Sequence, residues 1–128
     1  MSILKMLTHG VTSSHFGDGE FIFSEGNTSD GNMYAVVEGC VEILKANRVL
    51  ETITPGGIFG ELAMLDGMSR SACAVSRGTS KVAAISANAF KEMILRHPNL
   101  ALEMMRHLSI RVRTNLDLQF RLPLDRHL

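Results

Sequence analysis

The 128-residue chain balances 13 Lys/Arg against 13 Asp/Glu for a formal net charge of zero, and 45% of its residues are hydrophobic. That is enough to close one core and excludes a disordered chain. No apolar run approaches the roughly 18–20 residues that cross a bilayer, so no membrane segment is expected, and residues 1–10 lack the plan of a secretory leader.

The charge is unevenly spread: residues 1–69 hold three Lys/Arg and nine Asp/Glu, residues 70–128 ten and four. No aromatic residues interleave the basic ones and Trp is absent, so the basic half reads as solvated helix surface and no nucleic-acid partner is expected for this chain alone. Cys40 and Cys73 read as free thiols of a cytoplasmic protein.

The elements follow in three regimes. Residues 1–13 form an N-terminal lead-in, with one or two helical turns expected over residues 2–8. From 14 to 87 the helical period disappears, and turn signals (GDGE, EGN, SDGN, EGC, ANR, PGG, LDGMS, SRGTS) recur every eight to twelve residues, the spacing of an all-β sandwich or barrel. Strand-like runs lie between them at 20–24, 33–37, 41–45, 49–54, 72–76 and 81–86. Val41-Glu42-Ile43-Leu44-Lys45 alternates as a strand wet on one face does. Glu38-Gly39 reads as a tight hairpin turn.

Helices are expected over residues 88–122. Ser86 is an N-cap, and Phe90, Met93, Ile94 and His97 follow at helical spacing until Pro98 stops the run. A second helix from Asn99 to about Phe120 carries the stripe Met105, Leu108, Val112 and Leu116, either packed on the chain's own roll or forming a homodimer seam. Leu122-Pro123 ends it. The whole is one domain, residues 1–128.

The segment Pro55 to Arg70 breaks the strand rhythm. GELAML, residues 60–65, is rich in helix formers but barely two turns long. A short glycine-led helix offers unpaired backbone N–H groups and a positive dipole end to an anion such as a phosphate. Arg70 completes such a site, because a guanidinium grips two phosphate oxygens at once; Ser71 adds a hydroxyl. The carboxylate of Glu61 is an acceptor, suited to a sugar hydroxyl rather than to phosphate. A phosphate clamp beside a hydroxyl acceptor describes a nucleotide.

Phe59-Gly60-Glu61-Leu62-Ala63, followed by Arg70-Ser71-Ala72, resembles the phosphate-binding cassette of cyclic nucleotide-binding domains, found in catabolite activator proteins, cyclic-nucleotide-dependent kinases and cyclic-nucleotide-gated channels. Gly19-Glu20-Phe21-Ile22-Phe23-Ser24-Glu25-Gly26 is similar to the family's early strand and turn. Met33-Tyr34-Ala35-Val36-Val37-Glu38-Gly39 is similar to its central hairpin, and Pro55-Gly56 precedes the cassette. Residues 14–113 are covered.

The resemblance implies a mainly β fold with C-terminal α: a double-stranded, jelly-roll-like β-roll of about eight strands, a short helix in the phosphate-binding segment and two C-terminal helices. It also implies that Arg70 binds the cyclic phosphate and Glu61 the ribose 2′-hydroxyl, with the backbone N–H groups of Gly60, Leu62 and Ala72 nearby. cAMP is favoured over cGMP as ligand, with Arg111 or Arg113 capping the base by stacking. The lead-in is shorter than the family's, Gly57 replaces a polar residue, and Cys73 stands where Thr or Ser is common; none of these removes an implied ligand contact.

Plainer readings stand beside this one. Glu61 and Arg70 also suit a structural ion pair. No histidine shares their segment to activate a nucleophile, so no enzyme is expected. His9, His15, His97, His107 and His127 lack metal-site spacing, so neither metal nor prosthetic group is expected. The function expected is a sensor whose C-terminal helices move on binding, coupled to an effector domain or protein. Its alternatives are a ligand-independent interaction or oligomerisation domain and a redox or haem sensor using Cys73 or a histidine. Eight residues after Phe120 leave no room for an effector, so the chain is expected to stand alone or to be the sensor part of a larger protein.

Overall fold

The computed structural model describes residues 7, 8 and 10–126, with side chains described as far as Thr114. Among the described residues there are eight strands: β1 (Ser13–Phe16), β2 (Phe21–Phe23), β3 (Asn32–Glu38), β4 (Val41–Lys45), β5 (Arg48–Ile53), β6 (Ile58–Phe59), β7 (Cys73–Ser76) and β8 (Ser80–Ser86). Helices among the described residues include α1 (Glu61–Asp66), α2 (Ala87–Arg96) and α3 (Asn99–Arg126). The strands form two four-stranded antiparallel sheets, ordered β1-β8-β3-β6 and β2-β7-β4-β5. The expected β-roll with C-terminal helices is what the chain builds.

Both sheets contribute to the core. Tyr34, Val36, Phe59 and Val82 come from the first sheet and Val41, Ile53 and Ala74 from the second, with Phe16, Ile22, Phe23 and Ile43 packed against them. Removing one such large side chain from water stabilises the fold by about 1.5–3 kcal/mol. β3 is buried over four consecutive residues, Met33 to Val36, whereas Val41 to Lys45 of β4 carries the alternation read from the sequence.

Two strands lie outside the six runs expected, β1 and β6. One turn also differs from expectation. Glu38-Gly39 is not a hairpin, because β3 pairs with β8 and β6 while β4 pairs with β5 and β7. The dipeptide instead carries the chain from one sheet to the other. Gly39 is required there twice over: its φ is +87°, and a Cβ would sit 2.5 Å from the carbonyl oxygen of Thr79. The true hairpin of this region joins β4 to β5 through Ala46 and Asn47, whose φ values are 52° and 62°, a turn of the primed kind that matches strand twist.

Two compact units divide the chain, Met1–Met93 and Ile94–Leu128. In the first, the hydroxyl of Ser86 accepts the Ala89 N–H at 3.1 Å, the N-cap expected for α2. In the second, α3 begins after Pro98 and continues to Arg126, past the expected end at Leu122-Pro123. An interior proline removes one backbone hydrogen bond and crowds the carbonyl four residues back, which bends a helix without always ending it. At the N-terminus, Leu7 and Thr8 are helical; the rest of the expected 2–8 segment lies outside the described residues.

Candidate functional site

β6 ends at Phe59, and Gly60 turns the chain into α1 with φ 73°. No side chain caps that end of the helix, and Glu61 is the acid of its first turn. Gly67, at φ 71°, closes the other end by donating its N–H to the carbonyl of Ala63. Phe59, Ala63 and Ala72 are buried, while Leu62 and Ser71 are exposed. Glu61 is 0% exposed and Arg70 3%. Such burial is uncommon for a charged residue without specific partners.

The partners of Arg70 explain its burial. Its backbone is pinned to the turn after β2, where Gly26 N–H donates to the Arg70 carbonyl at 2.8 Å and Arg70 N–H to the Asn27 carbonyl at 2.9 Å. Its side chain donates from Nη1 to the carbonyl of Gly60 at 2.9 Å, and from Nη2 to Asp30 Oδ1 and to the carbonyl of Asn32, both at 2.8 Å. The guanidinium lies 4.3 Å from the centre of the Phe23 ring and 5.6 Å from that of Tyr34, within cation–π range. Of its five donors, two remain for an incoming acceptor. The arrangement is a cation fixed in place, with part of its hydrogen-bonding capacity unspent.

Asp30 is the hub of this network. Oδ1 accepts from Arg70 and from the N–H of Asn32 at 3.0 Å, and Oδ2 accepts from the Tyr34 hydroxyl. Burial alone would raise its pKa, but the hydrogen bonds from Tyr34 and Asn32 and the charge of Arg70 outweigh it and hold the carboxyl below its ordinary 3.8. Conversely, burial first and the adjoining carboxylate second push the Tyr34 phenol up to about 12. A depressed carboxyl stabilises the fold above its ordinary value, and that contribution disappears as pH falls through the folded-state value. The side chain of Asp30 is 49% exposed, so solvent screens the effect. Asp30→Asn is expected to flatten the acid limb of stability below pH 3.8, read by urea unfolding at a series of pH values. An unchanged slope would show that Asp30 carries no such contribution.

The structure thus brings together Phe59, Gly60, Glu61, Leu62, Ala63, Arg70, Ser71 and Ala72 around one turn and short helix. Arg111 and Arg113 lie on α3 in the other unit. Sequence reasoning missed Asp30, Asn32, Tyr34 and Phe23. SDGN was read only as a turn, although an Asp at such a turn commonly turns its carboxylate back onto the backbone, as Asp30 does.

A family model described as the cyclic nucleotide-binding domain matches residues 13–97. Lysophospholipase NTE1 of Saccharomyces cerevisiae is 26% identical over 121 residues, covering 82% of this chain and 7% of that protein. The CRP-like cAMP-activated global transcriptional regulator of Mycobacterium tuberculosis is 26% identical over 117 residues, covering 88% and 52%. The solved structure of Thermus thermophilus catabolite activator protein superposes with a TM-score of 0.77 at 27% identity, covering 92% of this chain and 56% of that one. The chain spans about half the length of these curated relatives, or less. With β-roll and cassette both inside the matched residues, the chain belongs to the cyclic nucleotide-binding domain family.

Proposed function

We propose that this chain is a non-enzymatic cyclic nucleotide sensor that favours cAMP over cGMP and moves its C-terminal helices on binding. In this reading Arg70 holds the cyclic phosphate with its two remaining donors. Glu61 accepts the ribose 2′-hydroxyl, backbone N–H groups of Gly60, Leu62 and Ala72 assist, Ser71 lies beside them, and Arg111 or Arg113 caps the base. The observation that carries the reading is the buried guanidinium of Arg70, anchored to Gly60 and Asp30 inside the matched region. The preference for cAMP rests on the Mycobacterium tuberculosis relative, itself cAMP-activated.

Burial gives the mechanism its physical content. With Glu61 and Arg70 both shut away, a nucleotide reaches them only when the segment between Gly60 and Gly67 parts from the roll. A ligand shifts an equilibrium by no more than its differential affinity for the two arrangements. A cassette that opens to admit phosphate and closes on it supplies that difference. A cytoplasmic location fits the two free thiols, Cys40 and Cys73.

Titration calorimetry of the intact chain with cAMP and with cGMP tests the proposal. Binding of cAMP at about micromolar affinity or tighter, with cGMP weaker, is expected. Absence of heat with both nucleotides would remove the sensor reading and leave the ligand-independent interaction domain. For the homodimer, Met105 and Val112 on α3 are 63% and 56% exposed, whereas Leu116 lies beyond the described side chains. Light scattering is expected to give twice the chain mass for the intact protein and a monomer for the double variant Met105→Glu, Val112→Glu. A monomeric intact protein would discard the seam.

A further inference from the structure

The residues flanking Arg70 form a line that the phosphate-clamp chemistry does not itself require. Tyr34, on β3, sends its hydroxyl to Asp30 Oδ2, the other oxygen of Asp30 receives Arg70 Nη2, and Nη1 of the same guanidinium reaches the Gly60 carbonyl at the head of α1. The Tyr34 ring is fixed from behind, 5.4 Å from Phe59 and 5.9 Å from Phe23, centre to centre. Without Tyr34 this half-exposed carboxylate would be held at one oxygen only, by the Asn32 N–H and Arg70 on Oδ1. Here a phenol rooted in the core locks one oxygen, and the planar carboxylate then has only one direction in which to offer the other.

We propose that Tyr34 is a positioning residue: its hydroxyl, through Asp30, sets where the Arg70 guanidinium stands and hence how it presents its remaining donors to an anion. The anion's identity as a cyclic nucleotide rests on the function proposed above, but the coupling among the three side chains does not. Loss of the hydroxyl leaves Asp30 held through Oδ1 alone, by the Asn32 N–H and Arg70, so that Arg70 is less precisely placed while the ring still fills the core. The charged and titratable groups facing the phenol are Asp30 and Arg70, with Asn32 beside them.

The chain supplies its own reporter, since Tyr34 is its one tyrosine and it has no tryptophan. Phenolate absorbance after a stopped-flow alkaline jump, read before unfolding, therefore follows this hydroxyl alone. The intact protein is expected to titrate near about 12. Asp30→Asn, which removes the facing negative charge, is expected to lower the midpoint. Arg70→Met, which removes the facing positive charge, is expected to raise it, and saturating cAMP to raise it in the intact protein by offsetting the same charge. These shifts establish that the phenol faces the two charges it is proposed to link, and a midpoint unmoved by both variants overturns the proposal.

In calorimetry, Tyr34→Phe is expected to weaken cAMP binding about two- to tenfold, the effect of one lost hydrogen bond. If the intact chain binds cAMP and Tyr34→Phe binds it equally well, the positioning role is wrong while the sensor reading stands. If the intact chain binds neither cAMP nor cGMP, the sensor reading is wrong, and urea unfolding of Tyr34→Phe, Arg70→Met and the double variant decides the positioning role: non-additive losses uphold it and additive losses overturn it.

Discussion

Arg70→Ala is expected to bind cAMP about 30- to 700-fold more weakly than the intact chain, the loss of about 2–4 kcal/mol that follows removal of a bidentate charged contact. The substitution does more than remove a charge. It strips the donors from the Gly60 and Asn32 carbonyls and from Asp30 Oδ1, and it uncovers the face of Phe23. A fall in stability of about 1–3 kcal/mol is therefore expected as well, since partly buried acceptors are left to whatever water can reach them. Arg70→Lys separates the two roles. An ammonium restores the charge but, as a compact point on a flexible stem, cannot span Gly60, Asp30 and Asn32 while also presenting two further donors. It is expected to recover part of the stability and little of the affinity. Calorimetry and urea unfolding of the three proteins decide the matter. If Arg70→Ala binds cAMP as tightly as the intact chain, Arg70 is a structural ion-pair partner and no more.

How far such a site can be read from sequence depends on the range of its contacts. β4 was legible to the residue because Val41 to Lys45 alternates and is bounded by turn chemistry on both sides. β1 was not: Ser13-Ser14-His15-Phe16 has no strand signature of its own and is extended because it pairs with β8, from Ser13 against Ala83 to Phe16 against Ser80, an override of local preference by tertiary pairing. β6 is two residues long and leaves no period to detect. Glu38-Gly39 was read as a hairpin and is a crossing between sheets, because turn chemistry cannot say which sheet the next strand will join. The cassette residues were legible because they are contiguous, from Phe59 to Ala63 and from Arg70 to Ala72. Asp30 and Asn32 were not, because 40 and 38 residues separate them from the guanidinium they hold. The cassette lies in one short segment, and the distant groups that hold its arginine come from β3 and the turn before it.

That division of labour makes Gly60 the most demanding position after Arg70, and Gly60→Ala is expected to damage both fold and binding where Gly67→Ala damages only the fold. Both glycines have positive φ, 73° and 71°, so an alanine at either costs about 1–2 kcal/mol in backbone strain. At Gly67 nothing lies within 4 Å of an added Cβ, and the cost stops there. At Gly60 the added Cβ would stand 2.8 Å from Arg70 Nη1 and 3.2 Å from the Phe23 ring. The guanidinium cannot simply swing aside, because Asp30, Asn32 and the Gly60 carbonyl hold it from other directions. Overpacking of this kind adds about 1–3 kcal/mol, so Gly60→Ala is expected to lose about 2–5 kcal/mol in urea unfolding. Its displaced guanidinium is expected to weaken cAMP binding about tenfold or more, while Gly67→Ala keeps the affinity of the intact chain. Equal behaviour of the two variants would mean that Arg70 yields to a methyl group at no cost. The tight seat of the guanidinium against the head of α1 would then play no part in binding.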